Sequence, residues 1–316
     1  MPTIAVMLPR DLPPGQVTAY ARRAEALGFE ALWVVEDLGF RGGIAQATAV
    51  LATTSTIRVG IGVLPAAVRN PAFAAMELAT LAQLFPGRLD VGIGHGMPGW
   101  LRSVGAWPRT PLRLLEEHLV TVRALLNGER VDAPDALVPI EGFALDPAAV
   151  PEVVPPLLAG VRGPRSLAMS GRVADGTVLA EPCTPEYVRA AVEQIAAPGP
   201  HAIVTYNVGS VHDHEGTALA QARPGLAWIG EPDWAPHLAP LPFGAELAAL
   251  RASCGSQREF AARLPDAWVA RLALAGTPDG VRTRLGELAA AGVTSSVFIP
   301  AAPDPLTGLD QLARVL

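Results

Sequence analysis

The stretch IRVGIGVLPAAVRNPAFAAMELATLAQLFPGRLDVGIGHG, residues 57–96, contains two short apolar runs separated by a longer helical pattern. The runs at 56–64 and 88–93 have the length and apolar content of buried strands. Between them, residues 70–87 predict a helix, with Pro71 in its first turn and a Pro-Gly break at its end. A strand, a helix and a strand in this order are typical of a βαβ unit, whose two strands are parallel.

The same alternation extends over the whole chain. Further strands are predicted at 3–8, 31–35, 153–160, 176–181, 202–211 and 293–300. Further helices are predicted at 15–28, 43–55, 111–128, 164–174, 185–196 and 277–292. Eight strands with a helix in nearly every gap favour an α/β fold, a single (β/α)8 TIM barrel over residues 1–316, since such barrels take about 250 residues plus insertions. A doubly wound sheet is the alternative, but no GxGxxG motif follows the first strand.

Two segments interrupt the alternation. Residues 129–150 are rich in Asp, Pro and Ala, and residues 212–262 contain several prolines between Pro224 and Pro242. We expect both segments to be insertions on the carboxyl-terminal face of the barrel.

Composition excludes several classes of protein. The net charge of −6 argues against a general nucleic-acid binder, which would carry a basic stripe. The chain has no lysine, which excludes Schiff-base chemistry and a phosphate-loop lysine. No apolar run reaches the ~18 residues of a membrane span, and the N-terminus does not resemble a signal peptide. Two distant cysteines fit a reducing compartment. We therefore expect a cytoplasmic protein with no membrane or nucleic-acid partner.

The carboxyl ends of the predicted strands carry the candidate functional residues, because catalytic groups of TIM barrels project from there. Glu36 and Asp37 follow the second strand; the alternative to a catalytic role is that they cap the next loop or pair with Arg41. His95, between two glycines, follows the fourth strand. An imidazole with a pKa near ~6.5 suits proton transfer at neutral pH, whereas a structural histidine is the alternative.

The segment AGVRGPRS, residues 159–166, follows the fifth strand and opens a helix at Pro164. Backbone N–H groups at a helix N-terminus can hold a phosphate, and Arg162 or Arg165 would add positive charge. An ordinary turn with surface arginines is the alternative.

Four segments in register resemble the luciferase-like flavin and deazaflavin oxidoreductases, and more closely the branch that uses coenzyme F420. They are GFEALWVVED (28–37), the opening stretch (57–96), GPRSLAMSGRVADGTVLA (163–180) and GTPDGVRTRLGELAAAGVTSSVFIP (276–300). The resemblance implies a barrel that carries a flat tricyclic ring at its carboxyl-terminal mouth and transfers a hydride there. It also implies F420 as the cofactor, with FMN as the alternative, a small-molecule substrate, and a homodimer formed through the early helices.

The resemblance assigns roles to particular positions. It implies a non-proline cis peptide at Gly62–Val63 that supports the ring from behind, and an acid or base at His95. The family often has Asp-His where this chain has Glu36-Asp37, so an imidazole is missing there. The candidate catalytic residues are His95, Asp37 and Glu36. The candidate cofactor-binding residues are Glu36, Gly62, Val63, Leu64, Ile93, Gly94, His95, Gly160, Val161, Arg162, Gly163 and Pro164.

Arginines on the predicted mouth loops, Arg41, Arg69, Arg102 and Arg109, are expected to meet the acidic tail of F420. No metal is expected, because the two histidines of the HDH run at 212–214 lack a third ligand. Three functions remain open: an F420-dependent oxidoreductase acting on a small organic substrate, an FMN-dependent monooxygenase of the same fold, and a barrel that has lost catalysis and only binds. A deazaflavin lacks N5 and activates oxygen poorly, so the cofactor decides between the first two.

Overall fold

The computed structural model describes all of residues 1–316. It has eleven strands: β1 (Thr3–Met7), β2 (Ala31–Val34), β3 (Arg58–Pro65), β4 (Leu89–Gly94), β5 (Val131–Ala133), β6 (Ile140–Phe143), β7 (Leu157–Gly160), β8 (Gly176–Leu179), β9 (Ala202–Val211), β10 (Leu274–Gly276) and β11 (Ser295–Pro300).

Fourteen α-helices accompany them. They are α1 (Val17–Leu27), α2 (Gly43–Thr53), α3 (Pro71–Leu84), α4 (Pro98–Ser103), α5 (Pro111–Leu126), α6 (Pro164–Val173), α7 (Pro185–Ile195), α8 (Glu215–Ala222), α9 (Ala235–Leu238), α10 (Gly244–Ala252), α11 (Gln257–Arg263), α12 (Asp266–Leu272), α13 (Pro278–Ala290) and α14 (Pro305–Leu312).

Eight of the strands close into a parallel barrel in the order β1-β2-β3-β4-β7-β8-β9-β11. Parallel pairs of β1 with β11 and of β8 with β9 complete the ring. The prediction of a TIM barrel is confirmed, and the barrel strands are the eight that the sequence pattern predicts. Because all strands are parallel, their carboxyl ends lie at one face, where the following loops meet.

The structure differs from the predicted strands in three places. The fifth barrel strand begins at Leu157 rather than at residue 153, because Pro155 and Pro156 have no N–H to donate to a ladder. The sixth ends at Leu179, which leaves Glu181 beyond the strand. The short strand β10 was not predicted; it pairs with the end of β9, past the residues that pair with β8.

Helix starts and ends follow local sequence signals. The Asn70 side chain accepts a hydrogen bond from the backbone N–H of Ala72 at the start of α3. At the start of α7 the Thr184 side chain accepts from the backbone N–H of Tyr187. Both helices have proline in their first turn, where no N–H is needed. The helix α1 ends at Gly28, whose φ of 91° is available to glycine at little cost.

The apolar core has two layers. The outer layer fills the space between the barrel and its helices. The inner layer lies inside the barrel, where Trp33 and Tyr206 meet edge to face with ring centroids 6.0 Å apart. The absence of a side chain at Gly60 leaves room for the Trp33 ring, because a Cβ there would lie 2.2 Å from it.

The two interrupting segments pack differently. Within 129–150, β5 and β6 form an antiparallel hairpin beside α5, where Arg113 donates to the Asp135 carbonyl and Glu117 accepts from the Leu137 N–H. Residues 212–262 contain α8, α9, α10 and nearly all of α11, and they form most of a second apolar cluster. The Trp234 indole of this segment donates to the Glu181 carbonyl at 2.9 Å, which places the segment against the carboxyl end of β8.

No helix of the structure has both the length and the apolar content that crossing a bilayer requires. Both cysteines, Cys183 and Cys254, are buried thiols without a disulfide.

Candidate active site

The strand β3 is interrupted by a bulge near its carboxyl end. The peptide bond between Gly62 and Val63 is cis, as the resemblance implied. The pairing of β3 with β4 shifts between Ile61 and Leu64, so that two residues of β3 stand against one residue, Gly92, of β4. A bulge of this kind bends the strand and redirects its side chains.

The Val63 side chain lies across three glycines of the neighbouring strands. A Cβ built on Gly160 would lie 2.5 Å from Val63 Cγ1, and one built on Gly94 would lie 2.9 Å from Val63 Cγ2. One built on Gly92 would lie 3.0 Å from Val63 Cγ1. Gly94 and Gly160 are also pairing partners in the ladder between β4 and β7. The ends of β3, β4 and β7 therefore form one surface, which we call the glycine cradle: Gly62, Val63, Gly92, Gly94 and Gly160.

Two buried aromatic rings of the barrel interior support the cradle. A side chain at Gly62 would overlap the Tyr206 hydroxyl and would lie 3.0 Å from the ring of Trp33. The Tyr206 hydroxyl is buried and has no hydrogen-bond partner. Burial raises the pKa of this phenol well above its usual value, and the charges of Glu181 and Asp37 raise it further. Tyr206 is therefore a neutral phenol beneath the bulge.

His95 directly follows Gly94, the cradle residue at the end of β4. Its Nε2 lies 3.3 Å from the Ser166 hydroxyl on α6. Burial lowers the pKa of the imidazole, while the Pro111 carbonyl acts in the opposite direction. The ring is therefore neutral at pH 7. Gly96 has a φ of 70°, which turns the chain over Pro65 after His95.

The segment after β7 ends at the N-terminus of α6, with Gly163 as the N-cap and Pro164 in the first turn. The Arg162 guanidinium donates to the Asp233 carbonyl and lies 4.8 Å from the Trp234 ring, so it faces the 212–262 segment. Arg165, in the first turn of α6, is exposed and forms no ion pair or hydrogen bond within the chain. The free charge at this helix end is therefore that of Arg165.

The two acids after β2 are both paired. Both oxygens of Glu36 accept from the Arg69 guanidinium, at 2.5 and 2.8 Å, and Oε2 also accepts from the Gly43 N–H at the start of α2, at 2.6 Å. Hydrogen bonding and charge from Glu36 raise the pKa of Arg69 against the effect of burial. Asp37 accepts from Arg10 at 2.7 Å. The alternative expected the two acids to cap the next loop or to pair with Arg41; instead Glu36 accepts from the first residue of α2, after that loop, and pairs with Arg69.

The other mouth arginines have separate surroundings. Arg41 donates to the carbonyls of Arg10 and Leu12. Arg102 lies 5.3 Å from the Trp107 ring. Arg109 is exposed and has no ion pair. Of the four arginines, only Arg69 pairs with a carboxylate of the chain; the charges of Arg41, Arg102 and Arg109 have no carboxylate partner.

The structure brings the glycine cradle and His95 together, and places the start of α6 beside them. Three other predicted cofactor residues contribute only backbone, because the side chains of Leu64, Ile93 and Val161 are buried between barrel and helices.

Metal-binding side chains do not converge anywhere in the chain. In the HDH run, the His212 ring contacts the Gln221 amide oxygen, and Asp213 pairs with Arg314 at 2.5 Å.

Sequence reasoning missed a cavity of about 520 Å³ at the ends of β8, β9 and β11. None of the predicted site residues lines it. Its lining consists of Glu181, Val208, Gln221, Pro224, Gly225, Ile299, Pro300, Ala301 and Pro303. Glu181 stands two residues past the end of β8, the same placement that drew attention to Glu36 after β2, so the signal was present. It was hidden because the predicted sixth strand extended to residue 181.

Comparison with known proteins identifies a family that the sequence matches. The sequence model of the luciferase-like monooxygenase family matches residues 2–295. A 5,10-methylenetetrahydromethanopterin reductase of Methanolobus tindarius is 28% identical over 307 residues, covering 92% of this chain and 91% of the relative.

Solved structures share the fold. The coenzyme F420-dependent tetrahydromethanopterin reductase of Methanopyrus kandleri superposes with a TM-score of 0.80 at 21% identity, covering 100% of this chain and 98% of that one. The oxygenating constituent of 3,6-diketocamphane monooxygenase from Pseudomonas putida, solved with FMN, has a TM-score of 0.73 at 15% identity, covering 100% and 97%.

Proposed function

This chain belongs to the luciferase-like monooxygenase family, and we propose that it is an oxidoreductase that uses the deazaflavin coenzyme F420. In this proposal a hydride passes between C5 of the deazaflavin and a small organic substrate at the carboxyl-terminal mouth of the barrel. The similar solved structure is named as coenzyme F420-dependent, and the relative is named for a methanopterin reduction of the same kind, which supports F420 over FMN.

The glycine cradle is the observation that carries the proposal. It presents backbone and the two Val63 methyl groups over a width of three strands, and any side chain at Gly94 or Gly160 would be forced against Val63. A flat tricyclic ring needs a surface of this kind, apolar and free of projecting side chains. The residues present therefore fit the ring system that the family implies.

The N-terminus of α6 fits the phosphate of such a cofactor. The backbone N–H groups of the first turn point away from the helix, the helix dipole favours an anion there, and the Arg165 guanidinium is unpaired. When bound, the deazaflavin would supply the hydride chemistry. Gly163, Arg165 and Ser166 would hold its phosphate end.

The candidate catalytic residues take different parts in this proposal. His95, neutral and 3.3 Å from the Ser166 hydroxyl, lies at the edge of the cradle and would donate or accept one hydrogen bond there. Asp37 lies at the mouth in an ion pair with Arg10. Glu36 fixes the loop after β2 by joining Arg69 to the first turn of α2, and we assign it a positioning role.

An FMN-dependent monooxygenase is the second candidate, because the FMN-bound oxygenase has the same fold. The distinction is chemical: reduced FMN activates oxygen through its N5-containing ring, and a deazaflavin has carbon at that position.

Titration of the purified protein with F420 and, separately, with FMN tests the proposal by the quenching of cofactor fluorescence. We expect saturable binding of F420 at concentrations at which FMN does not bind. Binding of FMN alone would favour the monooxygenase, and binding of neither would overturn both candidates.

Two copies of the chain are expected to associate through α3. Phe73, Met76 and Leu84 recur on one face of this helix and are 65%, 47% and 63% exposed. Apolar side chains aligned along one helix are more typical of a covered interface than of a free surface. We propose a homodimer built on this face.

A further inference from the structure

The cavity at the ends of β8, β9 and β11 combines an apolar wall with two polar side chains. Val208, Ile299 and several prolines form most of its lining, and Glu181 and Gln221 are its only groups with side-chain polar atoms. Its volume of about 520 Å³ lies within the range of small-molecule sites, roughly 300–1,000 Å³. No cationic side chain lines it.

Glu181 is fixed at its backbone and free at its carboxyl group. The Trp234 indole donates to its carbonyl at 2.9 Å, and Trp234 is itself packed against the Arg162 guanidinium. The carboxyl group forms no ion pair, in contrast to Glu36 and Asp37, and within the chain it interacts with its own backbone N–H. A half-buried acid that no other residue binds, at a cavity wall, is available to a ligand.

The surroundings favour the protonated acid. Burial raises the pKa of Glu181, and the negative charge of Asp37 raises it further. The backbone N–H of Glu181 and the charges of Arg162 and Arg10 oppose this effect, and neither arginine forms an ion pair with Glu181. The other titratable neighbours are buried neutral groups: burial raises the pKa of both the Cys183 thiol and the Tyr206 phenol well above their usual values.

Gln221 supplies the second polar group. Its Oε1 accepts from the Ser210 hydroxyl at 3.4 Å and contacts His212, so its amide N–H₂ remains to donate. A ligand oxygen between Glu181 and Gln221 would meet two donors when the carboxyl group is protonated.

The strand order places this cavity next to the glycine cradle. Gly160 of the cradle pairs with Val178 of β8, and Glu181 follows three residues later. Arg162, two residues after Gly160, lies against the Trp234 ring that donates to the Glu181 carbonyl. Glu181 therefore stands at the end of the strand adjacent to the cradle.

We propose that Glu181 is the catalytic acid–base residue of this barrel and that its cavity binds a neutral, largely apolar substrate through a carbonyl or hydroxyl oxygen. The inference rests on the proposed function for its hydride donor, a reduced deazaflavin. As hydride adds to the carbonyl carbon, the π electron pair moves to oxygen, which takes the proton of the Glu181 carboxyl group. The product is an alcohol and a Glu181 carboxylate, which regains its proton from water; the oxidation of an alcohol is the reverse.

Three naphthalene derivatives that differ in charge test ligand binding at the cavity without turnover. They are the neutral ketone 2-acetylnaphthalene, the anion 2-naphthoate and the cation 2-naphthylmethylammonium. Affinities for the protein as purified are measured by calorimetry between about pH 5 and pH 8. Ionised Glu181 repels the carboxylate probe, so we expect the affinity for 2-naphthoate to fall about tenfold or more as pH rises, and that for the ketone to change less than twofold. We expect the ammonium probe to bind less tightly than the ketone at the acid end of the range.

Glu181→Gln keeps the size and hydrogen bonding of the side chain but cannot ionise. We expect this variant to bind 2-acetylnaphthalene within about twofold of wild type and to show no pH dependence toward 2-naphthoate. Glu215→Gln is the matched control, since Glu215 is an exposed acid on α8 that does not line the cavity. It should retain the wild-type pH dependence. A wild-type affinity for 2-naphthoate that is independent of pH would overturn the inference.

The F420 titration separates this inference from the proposed function. Glu181→Gln should bind F420 as wild type does, because Glu181 lies outside the glycine cradle. If F420 does not bind but the pH dependence toward 2-naphthoate is lost in Glu181→Gln, the cavity assignment stands and the cofactor proposal fails. If F420 binds and Glu181→Gln reduces carbonyl substrates at the wild-type rate and pH profile, the acid–base role is overturned; we expect kcat to fall about 100-fold with KM little changed.

Discussion

Gly160 shows how one missing side chain defines the candidate site. A Cβ at this position would lie 2.5 Å from Val63 Cγ1, closer than unstrained atoms approach. Valine at 63 and glycine at 92, 94 and 160 therefore form one packing arrangement, and a change at any of them displaces the surface on which we place the ring.

Gly160→Ala should reduce the affinity for F420 at least about tenfold, because the new methyl group forces Val63 toward the mouth, and should cost about 1–3 kcal/mol of unfolding free energy. Fluorescence titration and urea denaturation measure the two effects. Gly286→Ala is the control: a Cβ there meets nothing within 4 Å, so this change on α13 should leave F420 affinity unaltered. Equal affinity of Gly160→Ala and wild type would contradict the placement of the ring.

His95 is expected to remain neutral at pH 7. Its folded pKa is lowered by burial, so its imidazole takes up a proton only below the usual 6.5. The signal of this ring in a histidine-labelled NMR spectrum, assigned by its loss in His95→Gln, should titrate below that value. A midpoint at or above 6.5 would show that His95 is charged during part of the physiological range and would make it an acid rather than a hydrogen-bonding group.

At the scale of helices and strands, the sequence pattern predicted all eight barrel strands because each is an apolar run followed by a turn signal. It placed the start of β7 too early, since periodicity does not register the loss of donors at Pro155 and Pro156. It missed β10, whose three residues are too short to show a period. It proposed candidate site residues next to glycines, and it passed over Glu181 because the predicted sixth strand extended to residue 181.

The helix α5 contains a buried histidine that should make the protein sensitive to acid. His118 is 3% exposed, its Nδ1 has no partner, and burial, with a smaller effect from Arg69, lowers its pKa to about 4. Because the folded state resists protonation, stability is complete above the unfolded pKa of 6.5 and is lost as pH falls toward 4.

His118→Gln should remove this part of the acid sensitivity. Its contribution reaches about 3 kcal/mol of unfolding free energy once the pH is below the folded pKa. Urea denaturation at pH 7 and at about pH 4.5 gives the comparison. The variant should lose much less stability than wild type between the two. A difference between variant and wild type that is the same at both pH values would show that His118 does not titrate in this window.

At the scale of the molecule, one barrel carries two distinct areas at its mouth. The glycine cradle lies on the side of β3, β4 and β7, and the Glu181 cavity lies on the side of β8, β9 and β11. The 212–262 segment contacts the chain beside both areas: Asp233 and Trp234 contact Arg162, two residues after Gly160, and Trp234 donates to the Glu181 carbonyl. In our proposal the cofactor surface is formed by backbone and the substrate cavity by side chains.

The exposed face of α3 leads to a prediction for the assembly. Light scattering after gel filtration should give the mass of a dimer for wild type and of a monomer for Phe73→Glu/Leu84→Glu, because two charges would be buried without partners in the interface. Val153→Glu, which charges an exposed valine elsewhere, should remain dimeric. A monomeric wild type at micromolar concentration would refute the interface.

The most direct test of the account is a crystal structure of the protein soaked with F420. We predict that the deazaflavin ring lies against Val63 and the glycines at 94 and 160, with its phosphate at the first turn of α6 and its C5 facing the Glu181 cavity. A ring bound inside that cavity, or anywhere away from the bulge of β3, would contradict the account.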